Sequence, residues 1–212
     1  MRYLLAATLG RSPMRIRAVL GHVPVALAVS IPAVGLAAAI PYGPGPLAHY
    51  TVQKQPAAGS CHYRFTSAGQ PLPDRRCTPG ALNPKVKQST LNATICKSGY
   101  TASIRPSSSV TAAEKRANAV SYHYRRSLTQ AEYDHLIPLE VGVDPNDPRN
   151  LWVEPPSPRH RASQSYHNPK DSVETKAKSL VCKGLVPLAA MQRAIAANWT
   201  TALAAVGPPT GK

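Results

Sequence analysis

Apolar positions along the chain fall into three kinds of pattern. From Ala18 to Ile40 they form a nearly unbroken run, between Cys61 and Arg105 they come in short pieces cut by turn residues, and from Thr111 onward most recur at helical spacing. In the middle region His62-Tyr63-Arg64-Phe65 alternates like a half-buried strand, Ser67-Ala68-Gly69 and Thr78-Pro79-Gly80 read as turns, and Pro71-Leu72-Pro73-Asp74 breaks regularity. Thr94-Ile95-Cys96 is a strand candidate stopped by Ser98-Gly99, and Tyr100 to Ile104 continues the chain to Pro106 and a serine run. This part predicts an irregular region with little core of its own.

Thr111-Ala112-Ala113-Glu114 has the form of a capping box and predicts a helix to about Tyr122, with Val120 and the alanines inward. Glu132 to Leu139 and Leu151 to Glu154 predict two strands, separated by the turn-rich stretch from Val143 to Arg149. Pro155, Pro156 and Pro158 then force an extended loop carrying Arg159, His160 and Arg161. Asn168 suits an N-cap, Pro169 the first helical position and Asp171 the positive end of the helix dipole. Val173, Ala177, Leu180 and Val181 share a face of that helix, which ends at Lys183-Gly184. A last helix is expected from about Leu188 to Ala205, with Leu188, Met191, Ile195, Trp199 and Leu203 as its core stripe. The order strand, loop, strand, loop, helix between Glu132 and Cys182 is a ββα unit, so the expected fold is small and α+β, with flanking helices.

The first apolar run reads as a leader. Arg2, Arg11, Arg15 and Arg17 precede or open it without an acid, and Ala37-Ala38-Ala39 is a small-residue cleavage pattern. Residues 1–39 are therefore expected to be a signal peptide, with a membrane anchor as the alternative reading, since the run is long enough to span. Residues 40–60, rich in Pro and Gly, are expected to be a linker, 61–205 the folded domain, and 206–212 a flexible tail. Export changes the meaning of the cysteines. Cys61, Cys77, Cys96 and Cys182 make an even set with three possible connectivities and no Cys-x-x-Cys pair. The expected pairing is Cys96 with Cys182, tying the segment before the ββα unit to its helix, and Cys61 with Cys77.

Charge adds a partner class. The formal net charge is +15, and without the four leader arginines it is 15 − 4 = +11. A charge of that size on a small domain attracts polyanions such as nucleic acid, anionic wall polymer or an anionic membrane surface. One Phe and two Trp argue against a stacking platform for single strands.

Candidate chemistry centres on Tyr133-Asp134-His135-Leu136-Ile137-Pro138-Leu139-Glu140, followed by Asn150-Leu151-Trp152. An Asp-His pair closing a strand, then an Asn, then a capped helix is the layout of a phosphodiester-cleaving finger. These segments, with Lys170-Asp171, Glu174 and Val181-Cys182, resemble a bacterial family of exported HNH-type proteins within the His-Me finger nucleases. The likeness extends to Leu72-Pro73-Asp74, Thr78-Pro79-Gly80-Ala81, Cys96, Gly99-Tyr100, Gln192, Ile195, Ala196 and Trp199, covering most of residues 61–203. It implies a small ββα-metal finger whose His135 is the general base for the attacking water, an imidazole suiting that role by its near-neutral pKa. It implies Asp134 as a ligand of a divalent ion, Mg²⁺ or Mn²⁺. Asn150 would pin the loop that aims His135. At the helix start both Asn168 and His167 could supply the second ligand. The sequence departs from the family's usual Gly-Gly turn at Val141-Gly142-Val143 and from its usual Pro at Val153.

Nucleic-acid contact is expected from Lys170 at the helix N-terminus and from Arg159 and Arg161 in the loop. The plainer reading of Lys170 and Glu174 is a surface ion pair at i, i+4. The expected function is thus an exported endonuclease of low sequence specificity, acting as a monomer on DNA ahead of RNA without a small-molecule cofactor. The alternative is a non-catalytic basic protein binding DNA or anionic wall polymer on the same scaffold. The leader reading gives a first prediction: N-terminal sequencing of exported protein should start near Ile40, whereas an intact Met1 or Met14 on membrane-bound protein would support the anchor.

Overall fold

The computed structural model describes residues 39–158 and 168–207. The expected signal peptide, the loop residues Arg159, His160 and Arg161, and His167 lie outside the described residues. The elements run β1 (Arg64–Phe65), β2 (Pro71–Leu72), α1 (Tyr100–Ser103), α2 (Ser108–Ser121), β3 (Glu132–His135), β4 (Leu151–Glu154), α3 (Pro169–Cys182), α4 (Leu188–Asn198) and α5 (Ala202–Val206). β1 pairs with β2 and β3 with β4, both antiparallel, so the architecture is α+β with two small two-stranded sheets.

The register of the second sheet sets Asp134 opposite Trp152 and His135 opposite Leu151. Side chains alternate along a strand, so Glu132, Asp134, Trp152 and Glu154 share one face while Tyr133, His135, Leu151 and Val153 share the other. A two-stranded ribbon is marginal by itself. Here β4 is wholly buried, and α2 closes its free edge: Asn118 Oδ1 accepts from the Val153 N–H at 2.8 Å. Past β3 the chain dives into the main core, where Leu136, Ile137, Leu139, Val141 and Val143 meet Ala177 and Val181 of α3 and Met191 and Ile195 of α4. Gly142 sits at φ +80°, and a Cβ there would lie 2.5 Å from Val86 Cγ1, so this turn needs glycine for both conformation and space. Trp152 instead packs beside Cys61, Tyr63 and Tyr122.

Several elements depart from the pattern-based expectation. Helix α2 starts one turn early, capped at Ser107, which places Glu114 in its interior rather than in a capping box. The Glu114 carboxylate is buried and accepts from the Gln53 N–H at 2.7 Å and from Asn146 Nδ2 at 3.1 Å. Val120, expected inward, is 59% exposed. The buried face of α2 is polar (Glu114, Asn118, Ser121) because it faces backbone groups of β4 and of the preceding segment rather than an apolar core. Tyr100–Ser103 is a single helical turn, and Thr94 to Cys96 are turn residues after a 3₁₀ segment over Gln88–Ala93. The β3 strand stops at His135, and the last helix is broken after Asn198, whose Oδ1 accepts from the N–H and hydroxyl of Thr200.

Residues 40–60 are not a free linker. Leu82 N–H donates to Pro41 O at 2.8 Å, Gly43 N–H to Leu82 O at 2.9 Å, and Gly45 N–H to Asp144 Oδ2 at 2.6 Å. Further on, Asn146 Nδ2 reaches Thr51 O and Gly59 N–H reaches Val120 O. The Pro and Gly content that suggests a linker instead produces an extended strap whose open backbone groups are satisfied by the body of the protein.

Both disulfides have the expected connectivity, Cys61–Cys77 and Cys96–Cys182. Formed disulfides belong to an oxidising compartment, and among the described residues no helix is long and apolar enough to cross a membrane. The bridges span 16 and 86 residues. On loop-closure entropy the longer contributes about 4.6 kcal/mol and the shorter about 3 kcal/mol. Replacing Cys96 and Cys182 by Ser should therefore lower the denaturation midpoint more than the Cys61/Cys77 double replacement, as read by urea melts of the two variants.

Candidate active site

His135 is the last residue of β3, and the turn after it is held by Asn150. Asn150 Oδ1 accepts from the Ile137 N–H and its Nδ2 donates to Ile137 O, both at 3.0 Å, while Asn150 O accepts from the Leu136 N–H at 2.8 Å. The amide is fully buried, so it satisfies two backbone groups that no water could reach. The His135 imidazole is buried too, with Nε2 2.9 Å from Pro145 O. A carbonyl only accepts, so Nε2 carries the proton and Nδ1 keeps a lone pair. Burial lowers the ring's pKa to about 4, against the opposing pull of Pro145 O and Asp134. The imidazole is therefore neutral at physiological pH.

The opposite face of the strand is dominated by one cation. Lys170, on the first turn of α3, has a side chain only 2% exposed. Its Nζ donates to Asp134 Oδ2 at 2.6 Å, to His135 O at 2.7 Å and to Glu174 Oε1 at 2.5 Å. All three ammonium protons are thus placed. Burial alone would depress the lysine pKa, but Asp134, Glu174 and Glu154 hold it well above its usual value. Burial pushes the Asp134 carboxyl up, and Lys170 with Glu154 outweighs this and keeps it below the ordinary range.

Glu154 completes the cluster from β4. Its Oε1 accepts from Asn168 Nδ2 at 2.7 Å, and its buried Oε2 has no donor facing it. Yet the carboxyls of Glu154 and Asp134 are hydrogen-bond partners, and burial with the Asp134 charge raises Glu154 well above the usual carboxylate range. The two observations agree if Glu154 holds a proton and donates it to Asp134. Glu174, half-buried beside Lys170, is raised by burial to about 7. Asn168 Oδ1 caps α3, accepting from the Lys170 N–H and from Ser157 Oγ, both at 3.2 Å.

The expected site residues thus divide. Asp134, Asn168 and Lys170 come together; the His135 backbone joins them, but its ring points to the Pro145 loop. Asn150 clamps the turn after β3 through Ile137. Lys170 departs from expectation: it is neither a surface ion pair nor open to phosphate, because a buried ammonium without a free N–H has nothing to offer an anion. Asn168 also departs, since both ends of its amide are engaged in capping and in Glu154. The donors described here do not fit a divalent ion as they stand. Asp134 is paired with the Lys170 ammonium, and among the described residues no three His, Cys, Asp or Glu side chains are arranged to hold a metal. His167 lies outside the described residues. Glu154 was not singled out from the sequence. Its signal was the strand period, which puts Glu132, Asp134 and Glu154 on one face once the register is known.

A pH titration checks the imidazole. A histidine whose folded pKa is depressed favours folding above the unfolded value of 6.5, and that contribution is lost as pH falls toward about 4. His135 in the native protein should show no protonation step near pH 6.5 by NMR, and its titration should appear only near the acid limb of unfolding. An ordinary midpoint near 6.5 would mean the ring is solvated.

No family model, no curated protein and no solved structure matches the chain, so its function has to be read from the site itself.

Proposed function

We propose that the chain is an exported endonuclease of low sequence specificity, hydrolysing phosphodiester bonds of DNA ahead of RNA, with His135 as general base. The observation that carries this reading is the aimed, neutral imidazole. Asn150 fixes the turn, Pro145 O fixes the tautomer, and Nδ1 is left as the only ring atom able to take a proton. In this reading a water placed at Nδ1 loses its proton to the ring as its oxygen attacks phosphorus, and the Nε2–H bond to Pro145 O together with the nearby Asp134 charge steadies the imidazolium that forms. A divalent ion, when bound in a finger of this kind, supplies positive charge at the phosphate. With the described donors already engaged, no step is assigned to it here.

A polyanionic partner is supported by the net charge of +15 and by its placement. Arg116, His123 and Arg125 line an open depression beside α2, and no acid occurs between Lys115 and Ala131. Such a surface reads backbone rather than bases. The reading needs no small-molecule cofactor and takes the chain as a monomer. The second reading, a non-catalytic extracytoplasmic protein binding DNA or anionic wall polymer, is favoured by one observation: a conjugate-acid pKa of about 4 makes His135 a weak proton acceptor.

Plasmid nicking separates the two. His135→Ala should reduce nicking by about a hundredfold to ten-thousandfold, while gel-shift affinity at low salt stays within about twofold, since phosphate contacts dominate such binding. His135→Gln, which keeps a donor for Pro145 O, guards against a purely structural loss and should be equally inactive. A wild type that retards plasmid without ever nicking it removes the nuclease reading and leaves the binding protein.

A further inference from the structure

We infer that residues 43–55 are an autoinhibitory strap: they close the His135 side of the protein against a phosphodiester, and loosening them opens it while the rest of the fold stays in place. The purpose of the strap rests on the nuclease reading, but the access it controls can be measured without cleavage.

Attachment is the first support. Two segments flank the His135 ring: the loop over 144–148, whose Pro145 O holds Nε2, and Ile104-Arg105, whose guanidinium charge acts on the imidazole. The strap is bonded to both. Gly45 N–H donates to Asp144 Oδ2 at 2.6 Å and Thr51 O accepts from Asn146 Nδ2 at 3.1 Å, one residue to either side of Pro145. Between them the Tyr50 hydroxyl donates to Ile104 O at 2.6 Å, so the strap bridges the two flanks of the ring. Glu114 is the latch, since its Oε1 accepts from both the Gln53 N–H and Asn146 Nδ2.

Enclosure of the ring is the second. His135 is only 9% exposed, whereas a general base needs a water at its lone pair and a phosphate beyond that water. Some element beside the ring has to move before a polymer can reach it. The buried β4 and the core after β3 are poor candidates.

The weak hold on the strap is the third. Among the described residues no hydrophobic cluster includes any of 43–55, and Leu47 and Val52 face outward, 47% and 52% exposed. A cavity of about 130 Å³ separates strap and loop, lined by Gly45, Tyr50, Gln53, Asp144 and Asn146. A segment held by a few hydrogen bonds without apolar contact opens locally, far more easily than the whole protein unfolds. The loop keeps bonds of its own, Asp144 N–H to Ala81 O and Asn146 N–H to Asp144 Oδ1, so Pro145 O stays on the ring when the strap leaves.

The test reads the modification of histidines by diethyl pyrocarbonate on the full chain, located by peptide mass mapping, with the exposed His62 and His123 as standards. Wild-type His135 should react far more slowly than either. Tyr50→Phe combined with Gln53→Pro removes two of the strap's hydrogen bonds and none of the loop's own. It should speed His135 modification by about tenfold or more, as expected when an opening equilibrium loses two such bonds, and plasmid nicking by a similar factor. On wild type itself, native-state hydrogen exchange should show the Gly45 and Gln53 amides opening well below the free energy at which the Leu136 and Val153 amides exchange. Strap amides that exchange only together with those core amides would overturn the inference. So would wild-type His135 as reactive as His62, a folded double variant with unchanged His135 reactivity, or a more reactive ring with unchanged nicking. If the double variant does not fold, the exchange measurement decides alone. Faster modification when neither chain nicks leaves the strap as the cover of the ring and removes only the nuclease reading.

Discussion

An ammonium enclosed by protein must have its charge answered and each of its protons accepted, and Lys170 gets both from residues that otherwise have no reason to meet. Asp134 and the His135 carbonyl come from β3, Glu174 from α3, and Glu154 approaches from β4 through Asp134. The requirement fixes the angle at which α3 leaves the sheet. Breaking a buried pair by removing one partner typically costs about 3–5 kcal/mol, because the survivor is stranded, whereas replacing the whole set with apolar groups can be neutral. The network therefore acts more on uniqueness of geometry than on gross stability. At the other end of α3 the attachment is of a different kind, with Val181 in the main core and Cys182 bonded to Cys96. One end of the helix is set by polar geometry and the other by apolar packing and a covalent bond.

Strand alternation divides the candidate chemistry between two sides. Asp134 and His135 are neighbours in sequence, and neighbours on a strand point apart. Because β3 ends at His135, the backbone carbonyl of that residue can still serve the acidic side while its ring serves the other. The ring bonds a backbone carbonyl, Pro145 O; the Asp134 and Glu174 carboxylates meet the Lys170 ammonium. One residue thus links the two sides of the strand, and the Asn150 clamp just beyond it holds both in register.

How much of this was legible in the sequence depended on whether a signal was local. The α3 start was fully readable, since Asn168 and Pro169 act within their own turn. Leu151 to Glu154 and the disulfide pairing were also anticipated. Helix α2 was misread at its start because a Thr-x-x-Glu string is a capping box only if nothing farther away needs the Glu, and Gln53 and Asn146 do. Val120 was misplaced for a related reason: hydrophobic periodicity finds apolar faces, and the buried face of α2 is polar. The same holds for Lys170 and Glu174. Spacing of four residues predicts a pair on a helix, but whether that pair is solvated or buried is decided by Asp134 and Glu154, thirty-six and sixteen positions upstream of the lysine. The strap over 40–60 gave composition without destination, and its partners lie at Leu82, Glu114, Asp144 and Asn146.

Those partners have a kinetic meaning. Gly45 bonds Asp144 across 99 positions, Asn146 bonds Thr51 across 95, and Trp199 Nε1 bonds Pro71 O across 128. Contacts so distant must overcome a large loop-closure entropy before they return anything, which slows folding relative to a helical protein of equal length. The strap over 40–60 bonds to residues between Leu82 and Arg149 and must wait for those segments to be made. A chain made from its N-terminus therefore cannot seat its strap before residues 82–149 exist, nor close the Trp199–Pro71 bond before α4 is complete.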